Sequence, residues 1–206
     1  FFSSHIDYYC EPFDYSLLNQ NSLNSIISYK HIRADQIIFC EGHQITNNPY
    51  FNTLPFRHVK GEVLDISCPD LRTSYIHSNG KWLLPVGGTQ FVFGATYDRN
   101  DLTYEVTDSG KLTLTTHLSS FLKYPFSVLG HRSGIRPSTT DFKPIIGAHP
   151  DFDRLFVFNG FGSKGLTLIP QMASDLIDYI SQKNPLSKSI NVKRYDHLLH
   201  RSLSSL

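Results

Sequence analysis

The amino-acid sequence predicts a mixed α/β (α+β) fold, and three observations carry the prediction. Residues 37–40 and 155–158 are apolar throughout and meet a glycine two positions later. Such runs mark strands buried on both faces, as in a parallel sheet. Residues 55–97 instead alternate between apolar and polar positions around Asn79-Gly80 and Gly87-Gly88, the pattern of an antiparallel meander. Apolar residues recur at helical spacing over 112–124 and again over 166–180.

Taken in order, Asp14 caps a short helical turn at 15–18, residues 19–22 form a loop, and residues 29–32 a short strand. The apolar strand 37–40 ends at Glu41-Gly42, where glycine allows close approach to the backbone. That run is also compatible with an ordinary turn after a buried strand. The meander comprises strands at 59–66, 73–77, 81–86 and 90–95, with Ser78-Asn79-Gly80 as the first hairpin turn. Leu114, Leu118, Phe121 and Leu122 give the first helix its apolar face, and 127–131 returns as a strand. A turn over 139–144 leads into Ile145-Ile146, the apolar strand 155–159, a glycine loop and the second helix. Pro170 lacks a backbone donor, so this helix is expected to start near Thr167 or to bend. Asn184-Pro185 ends it, and the tail from Leu186 is weakly patterned.

Composition narrows the function classes. The 206 residues are 40% hydrophobic and 18% charged, with a formal net charge of +1. That balance describes an ordinary globular chain and offers no electrostatic case for nucleic acid. No apolar run reaches the ~18–20 residues of a membrane-spanning helix, and the first residues lack the pattern of a signal peptide. Cys10, Cys40 and Cys68 are odd in number and widely spaced, against a disulfide framework or thiolate zinc site, so a cytoplasmic location is expected. His197 and His200 have helical spacing without nearby carboxylates, and no metal site is expected.

Two motifs carry chemistry. Gly160-Phe161-Gly162-Ser163-Lys164-Gly165 spells G-x-G-x-x-G between a strand and a helix. Its glycines and the positive helix N-terminus suit an electron-rich group. A dinucleotide site would need an acidic residue about 20 positions on, where Pro185-Leu186 stand instead. Gly134-Ile135-Arg136-Pro137 sets a guanidinium on a constrained backbone, fit to grip a carboxylate through two parallel bonds. A structural ion pair would use the same arginine.

G-I-R-P at 134–137, P-I-I-G-A-H-P at 144–150, an apolar strand, and G-F-G-S-K-G-L-T-L-I-P at 160–170 resemble a known family. They look like the C-terminal part of the D-amino-acid oxidase/glycine oxidase-like FAD-dependent oxidoreductases. A-D-Q-I-I-F-C-E-G at 34–42, V-K-G-E-V-L at 59–64, W-L-L-P at 82–85 and G-A-T at 94–96 agree in order, so the resemblance spans about 31–182. It implies part of an FAD-binding α/β domain with an inserted antiparallel-sheet substrate domain. The implied division is 1–53 as remnant FAD-binding and interdomain segments, 54–130 as substrate domain, 131–184 as C-terminal FAD-binding part, and 185–206 as tail.

The resemblance implies that FAD is the cofactor and that a small amine or amino acid loses a hydride from the carbon bearing nitrogen. Arg136 then matches the carboxylate-gripping arginine, and Trp82 stands where the glycine oxidase type has a pocket tyrosine. Cys40, Glu41, Gly42 and Gly134 match cofactor-side positions, as do Gly160, Gly162, Ser163, Lys164, Gly165 and Leu166. No catalytic acid or base is implied. The family's own N-terminal FAD-pyrophosphate motif has no counterpart in residues 1–30. The chain is therefore expected to be a piece of a longer protein, inactive and colourless by itself. A flavin-dependent tRNA-modifying oxidase and an inactive binding or assembly module are the alternatives. An NAD-dependent dehydrogenase is disfavoured by the missing acidic residue.

Overall fold

The computed structural model describes residues 7–21 and 26–200. Its strands form three sheets. The first is an antiparallel meander of β1 (Leu18–Asn21), β2 (Ile26–Tyr29) and β3 (Ile32–Ala34). Asp14 caps the preceding 3-10 turn by accepting from Ser16 N, as its side chain predicts. Two expectations are corrected here. Residues 19–21 form a strand, Leu18 pairing with Tyr29, while Ser22 lies outside the described residues. The expected strand at 29–32 is a turn at Lys30-His31 joining two strands, and Lys30 has φ 52°. The reason is local: the left-handed backbone of Lys30 reverses the chain, so that Tyr29 pairs with Ile32 instead of continuing into it.

The second sheet has the order β10-β11-β4, with β4 (Ile37–Phe39) parallel to β11 (Leu155–Asn159). This is the parallel pair that the two apolar runs predict. β10 (Ile145–Ala148) adds antiparallel to β11. On one side lie Phe39, Ile45, Phe51 and Leu54. On the other, α2 (Gly165–Ile180) packs through Met172, Leu176 and Ile180. This helix starts at Gly165, before the expected Thr167, and runs through Pro170. Pro170 is the sixth residue of the helix, so it forgoes the bond its N–H would have made to Leu166 O, and the helix continues through it on the packing of Met172, Leu176 and Ile180. The weakly patterned tail also packs: Ile190 accepts a backbone bond from Ile146, and Val192 and Leu199 are fully buried.

The third sheet has the order β6-β7-β8-β5-β9. Its central strand is β5 (Val59–Ser67), flanked by β8 (Gln90–Gly94) and β9 (Ser127–Arg136). β6 (His77–Asn79) and β7 (Lys81–Gly87) complete it. The first hairpin strand is thus displaced from 73–77, because Thr73 accepts from Tyr75 N and bends the chain. Gly80, at φ 70°, turns alone. β9 runs past the expected end at 131 and carries Arg136 as its last residue.

Helix α1 (Asp108–Phe121) covers this sheet with Leu114 and Leu118, packed on Leu64, Ile66, Leu83 and Phe93. It starts four residues before the expected 112 because Thr107 caps it, accepting from Gly110 N at 2.9 Å. It stops at Phe121, short of 124, where Leu122 turns extended. Residues of β5 alternate between faces. Lys60, Glu62, Leu64 and Ile66 face α1, with Lys60 only 1% and Glu62 4% exposed. Two buried charges require close partners. Lys60 bonds Asp101, while Glu62 accepts from Thr107 Oγ1 at 2.9 Å and stands 2.7 Å from His131 Nε2, an ion-pair distance with poor hydrogen-bond angle.

Two carboxylates are held ionised by such partners. The Lys60 ammonium lowers Asp101 to about 2, and the Arg132 guanidinium holds Asp65 below its usual range. A carboxyl that binds its proton less tightly when folded stabilises the fold fully above its unfolded value and loses that contribution as pH falls. Unfolding midpoints in urea should therefore decline as pH falls from about 4 towards 2. Asp101→Asn should flatten part of that decline, and an unchanged pH profile would refute the Lys60–Asp101 contribution.

Candidate active site

The parallel strands β4 and β11 end side by side, and their C-terminal residues begin the site. Asn159, 2% exposed, donates through Nδ2 to Gly42 O and accepts at Oδ1 from Gly160 N, both at 2.8 Å. One side chain thereby holds the chain beyond β4 to the glycine loop beyond β11. Gly160 has φ 83° and Gly162 φ 55°, backbone that glycine adopts without penalty. A Cβ on Gly160 would also stand 2.7 Å from Thr139 Cγ2. Gly162 N donates to Pro137 O at 3.1 Å, which fastens the loop to the residue following Arg136. The loop then enters α2, whose N-cap Lys164 makes no side-chain cap bond. The first N–H groups and the positive end of the helix therefore face outwards.

Arg136 approaches from the other sheet. The face of that sheet turned away from α1 is poor in side chains: Gly61 pairs with Gly134, and Gly94 pairs with both Val63 and Trp82. Over this floor the Arg136 side chain folds back, its guanidinium lying directly above Gly61. Among the described residues its one hydrogen bond is long, Nη1 to Thr96 O at 3.5 Å. No carboxylate among the described residues stands within ion-pair distance of it. Burial pushes its pKa below the ordinary value. Arg132, on the same strand, shows the contrast, because it makes two 2.7 Å bonds to Asp65. Arg136 is a half-buried cation without a counterion among the described residues.

A cleft of about 440 Å³ joins these parts, lined by Trp82, Arg136, Gly160, Gly162, Ser163 and Lys164. Trp82 is 37% exposed, and its indole N–H and ring have no partner among the described residues. Other positions singled out in the sequence lie around the cleft. Gly134 is part of the sheet floor, and Gly165 opens α2. Leu166 is 95% exposed. Cys40, Glu41 and Gly42 lie beyond Asn159, outside the cleft lining. The Glu41 side chain is committed inwards, accepting from Tyr15 and from Asn48 Nδ2, and burial raises its pKa. Glu41 and Gly42 therefore offer a ligand their backbone, whereas the Cys40 side chain is exposed. Gly42, at φ 58°, needs glycine for its conformation.

Asn159 and Gly61 escape motif reasoning, yet each leaves a signal. Asn159 is the polar residue ending an apolar strand immediately before the loop, and Gly61 interrupts an alternating strand, a mark of close approach. Among the described residues no cluster of three or more His, Cys, Asp or Glu side chains could hold a metal ion. No helix there is long and apolar enough to cross a membrane. A glycine loop, a helix N-terminus without a side-chain cap and, among the described residues, an unpaired guanidinium around one cleft fit a flat ring whose carbonyl edge takes negative charge on reduction, such as the flavin of FAD, beside a carboxylate.

Comparisons with known proteins bear on the family and the fold. Residues 20–179 match the family described as FAD dependent oxidoreductase (DAO). The tRNA 5-methylaminomethyl-2-thiouridine biosynthesis bifunctional protein MnmC of Pseudoalteromonas atlantica is 28% identical over 204 residues, covering 79% of this chain and 28% of its own length. Glycine oxidase of Pseudomonas aeruginosa is 25% identical over 160 residues, covering 75% of this chain and 44% of its own. The crystal structure of iminodiacetate oxidase from Chelativorans superposes with a TM-score of 0.69 at 24% identity, over 84% of this chain and 51% of that one. The chain spans less than half the length of these curated relatives. Matched over most of its length, the chain belongs to the DAO family of FAD-dependent oxidoreductases.

Proposed function

We propose that the protein containing this chain oxidises the C–N bond of a carboxylate-bearing amine, an amino acid or a close relative of one. The observation that carries this reading is Arg136, half-buried at the cleft without a counterion among the described residues. A guanidinium desolvated in this way is poised for the planar fork of a carboxylate, in bonds worth ~1.5–3 kcal/mol each. FAD, when bound, supplies the two-electron acceptor that takes the hydride from the carbon bearing nitrogen.

The chain's own residues bind and orient. Arg136 fixes the carboxylate, and Trp82 supplies an aromatic wall on the same sheet face. The Gly160–Gly165 loop, Lys164 and the N-terminus of α2 keep a positive potential at the opposite side of the cleft, where Gly160, Gly162, Ser163, Lys164, Gly165 and Leu166 would meet the flavin. Cys40, Glu41 and Gly42 would contact the cofactor on its adenosine side. Orientation accounts for the protein's share of catalysis in such a reaction, and no side-chain base is invoked.

A second reading, oxidation of an amine on a modified tRNA base, draws support from the MnmC relatives. The same cleft would hold the amine, and the tRNA would be bound elsewhere, since a net charge of +1 offers no basic surface.

The test uses the full-length flavoprotein, mixed anaerobically with a panel of amino acids, iminodiacetate and modified tRNA while flavin bleaching is followed. Bleaching by a small amino acid supports the first reading, and bleaching by tRNA alone supports the second. Arg136→Ala should raise KM for a carboxylate substrate by about 100-fold or more, and unchanged turnover would sink the carboxylate role. Gly160→Ala places a side chain at positive φ against Thr139 and should lower stability by about 1–2 kcal/mol. Its bound-flavin absorbance per protein should fall, and full flavin content would count against the loop's placement at the cofactor.

A further inference from the structure

We propose that Gly61 is a positioning residue for Arg136: the absence of a side chain there sets where the guanidinium lies, and with it the carboxylate subsite. The proposal rests on the carboxylate role of Arg136 argued above. Gly61 sits in the middle of β5, with no positive φ to require glycine. Glycine inside a strand weakens it, so its presence calls for a reason in space. A Cβ built on Gly61 would fall onto Nη1, Nη2 and Cζ of Arg136. Gly134, its cross-strand partner, meets nothing within 4 Å of the same position. Of the paired glycines Gly61 and Gly134, Gly61 is the one that the guanidinium crowds.

The register explains the contact. Arg136 pairs with Val59, and Gly61 pairs with Gly134 on the same face, so the Arg136 side chain leans along the strand over the glycine pair. Behind Gly61 the backbone has little room to recoil. Its neighbours Lys60 and Glu62 are tied on the other face to Asp101 and Thr107, and Glu62 O accepts from Thr96 N at 3.0 Å. Thr96 O is also the one acceptor of the Arg136 guanidinium among the described residues. Of the two groups that a methyl would separate, the strand is anchored and the guanidinium is the free end of a flexible side chain. The guanidinium moves.

The experiment is a double-mutant cycle in the full-length flavoprotein, with KM, kcat, the flavin spectrum and the affinity for acetate as a bare carboxylate probe. Gly61→Ala should raise KM and the acetate Kd by a common factor of about 10 or more, with kcat changed less than about threefold and the flavin spectrum intact. In the Arg136→Ala background the same substitution should add less than about twofold, because its effect acts through the arginine. A Gly61→Ala protein that fails to fold but regains its fold with Arg136→Ala supports the shared space equally. Unchanged KM, an equal loss in both backgrounds, or misfolding in both overturns the proposal. Arg136→Ala with unchanged KM removes the carboxylate reading itself, and the proposal with it.

Discussion

The Glu62 carboxylate, 4% exposed, is the tie on which the substrate-side sheet depends. It accepts from the backbone and side chain of Thr107 at the start of α1, stands opposite His131 of β9, and lies 3.9 Å from the Lys60 ammonium. A carboxylate so far from water is tolerable only with partners on several sides. Thr107 belongs to the start of α1 and His131 to a neighbouring strand, while Lys60, on β5 itself, bonds Asp101, so the two buried charges together tie a helix, a strand and a loop to β5. Gly110 leaves the space: a Cβ there would strike the Glu62 carboxyl. Breaking one member leaves another buried without a mate, which makes the cluster rigid as a unit.

That rigidity is carried through the strand to its opposite face. Alternation places Gly61 between Lys60 and Glu62, so the anchored charges lie beneath α1 while bare backbone faces the cleft. Gly61, Gly94 and Gly134 clear a floor, and Arg136 and Trp82 stand around it. The other sheet reaches the same cleft through Asn159, which links the ends of β4 and β11, and through the bond from Gly162 to Pro137. The arginine and the glycine loop are thus separated by one residue-to-residue hydrogen bond, although 24 positions apart in sequence from Arg136 to Gly160.

Parts of this arrangement were legible from residues alone. The apolar runs at 37–40 and 155–158 have no polar face to offer water, and they form the parallel pair. Asn-Gly and Gly-Gly punctuate a meander whose strands fall close to their expected places. Boundaries erred where a side chain intervenes: Thr107 extends α1 backwards, Thr73 bends the chain away from a strand, and β9 continues to Arg136 because β5 offers it partners. Residues 19–21 and 186–199 carry weak patterns; the first take their place by pairing with β2, the second by packing through Leu186, Ile190, Val192 and Leu199.

The sequence by itself determined the classes of element, the order of motifs and hence the family, because periodicity, glycine and proline act locally along the chain. Tertiary structure settled that, among the described residues, Arg136 has no counterion whereas Arg132 has one, since a pairing depends on which carboxylate the fold brings within reach. It also decided that Asn159 spans two loops and that Glu41 turns inwards to Tyr15 and Asn48. The space above Gly61 is of the same kind. A missing Cβ is visible in any sequence, but what occupies its place is set by a strand 75 positions away, at Arg136.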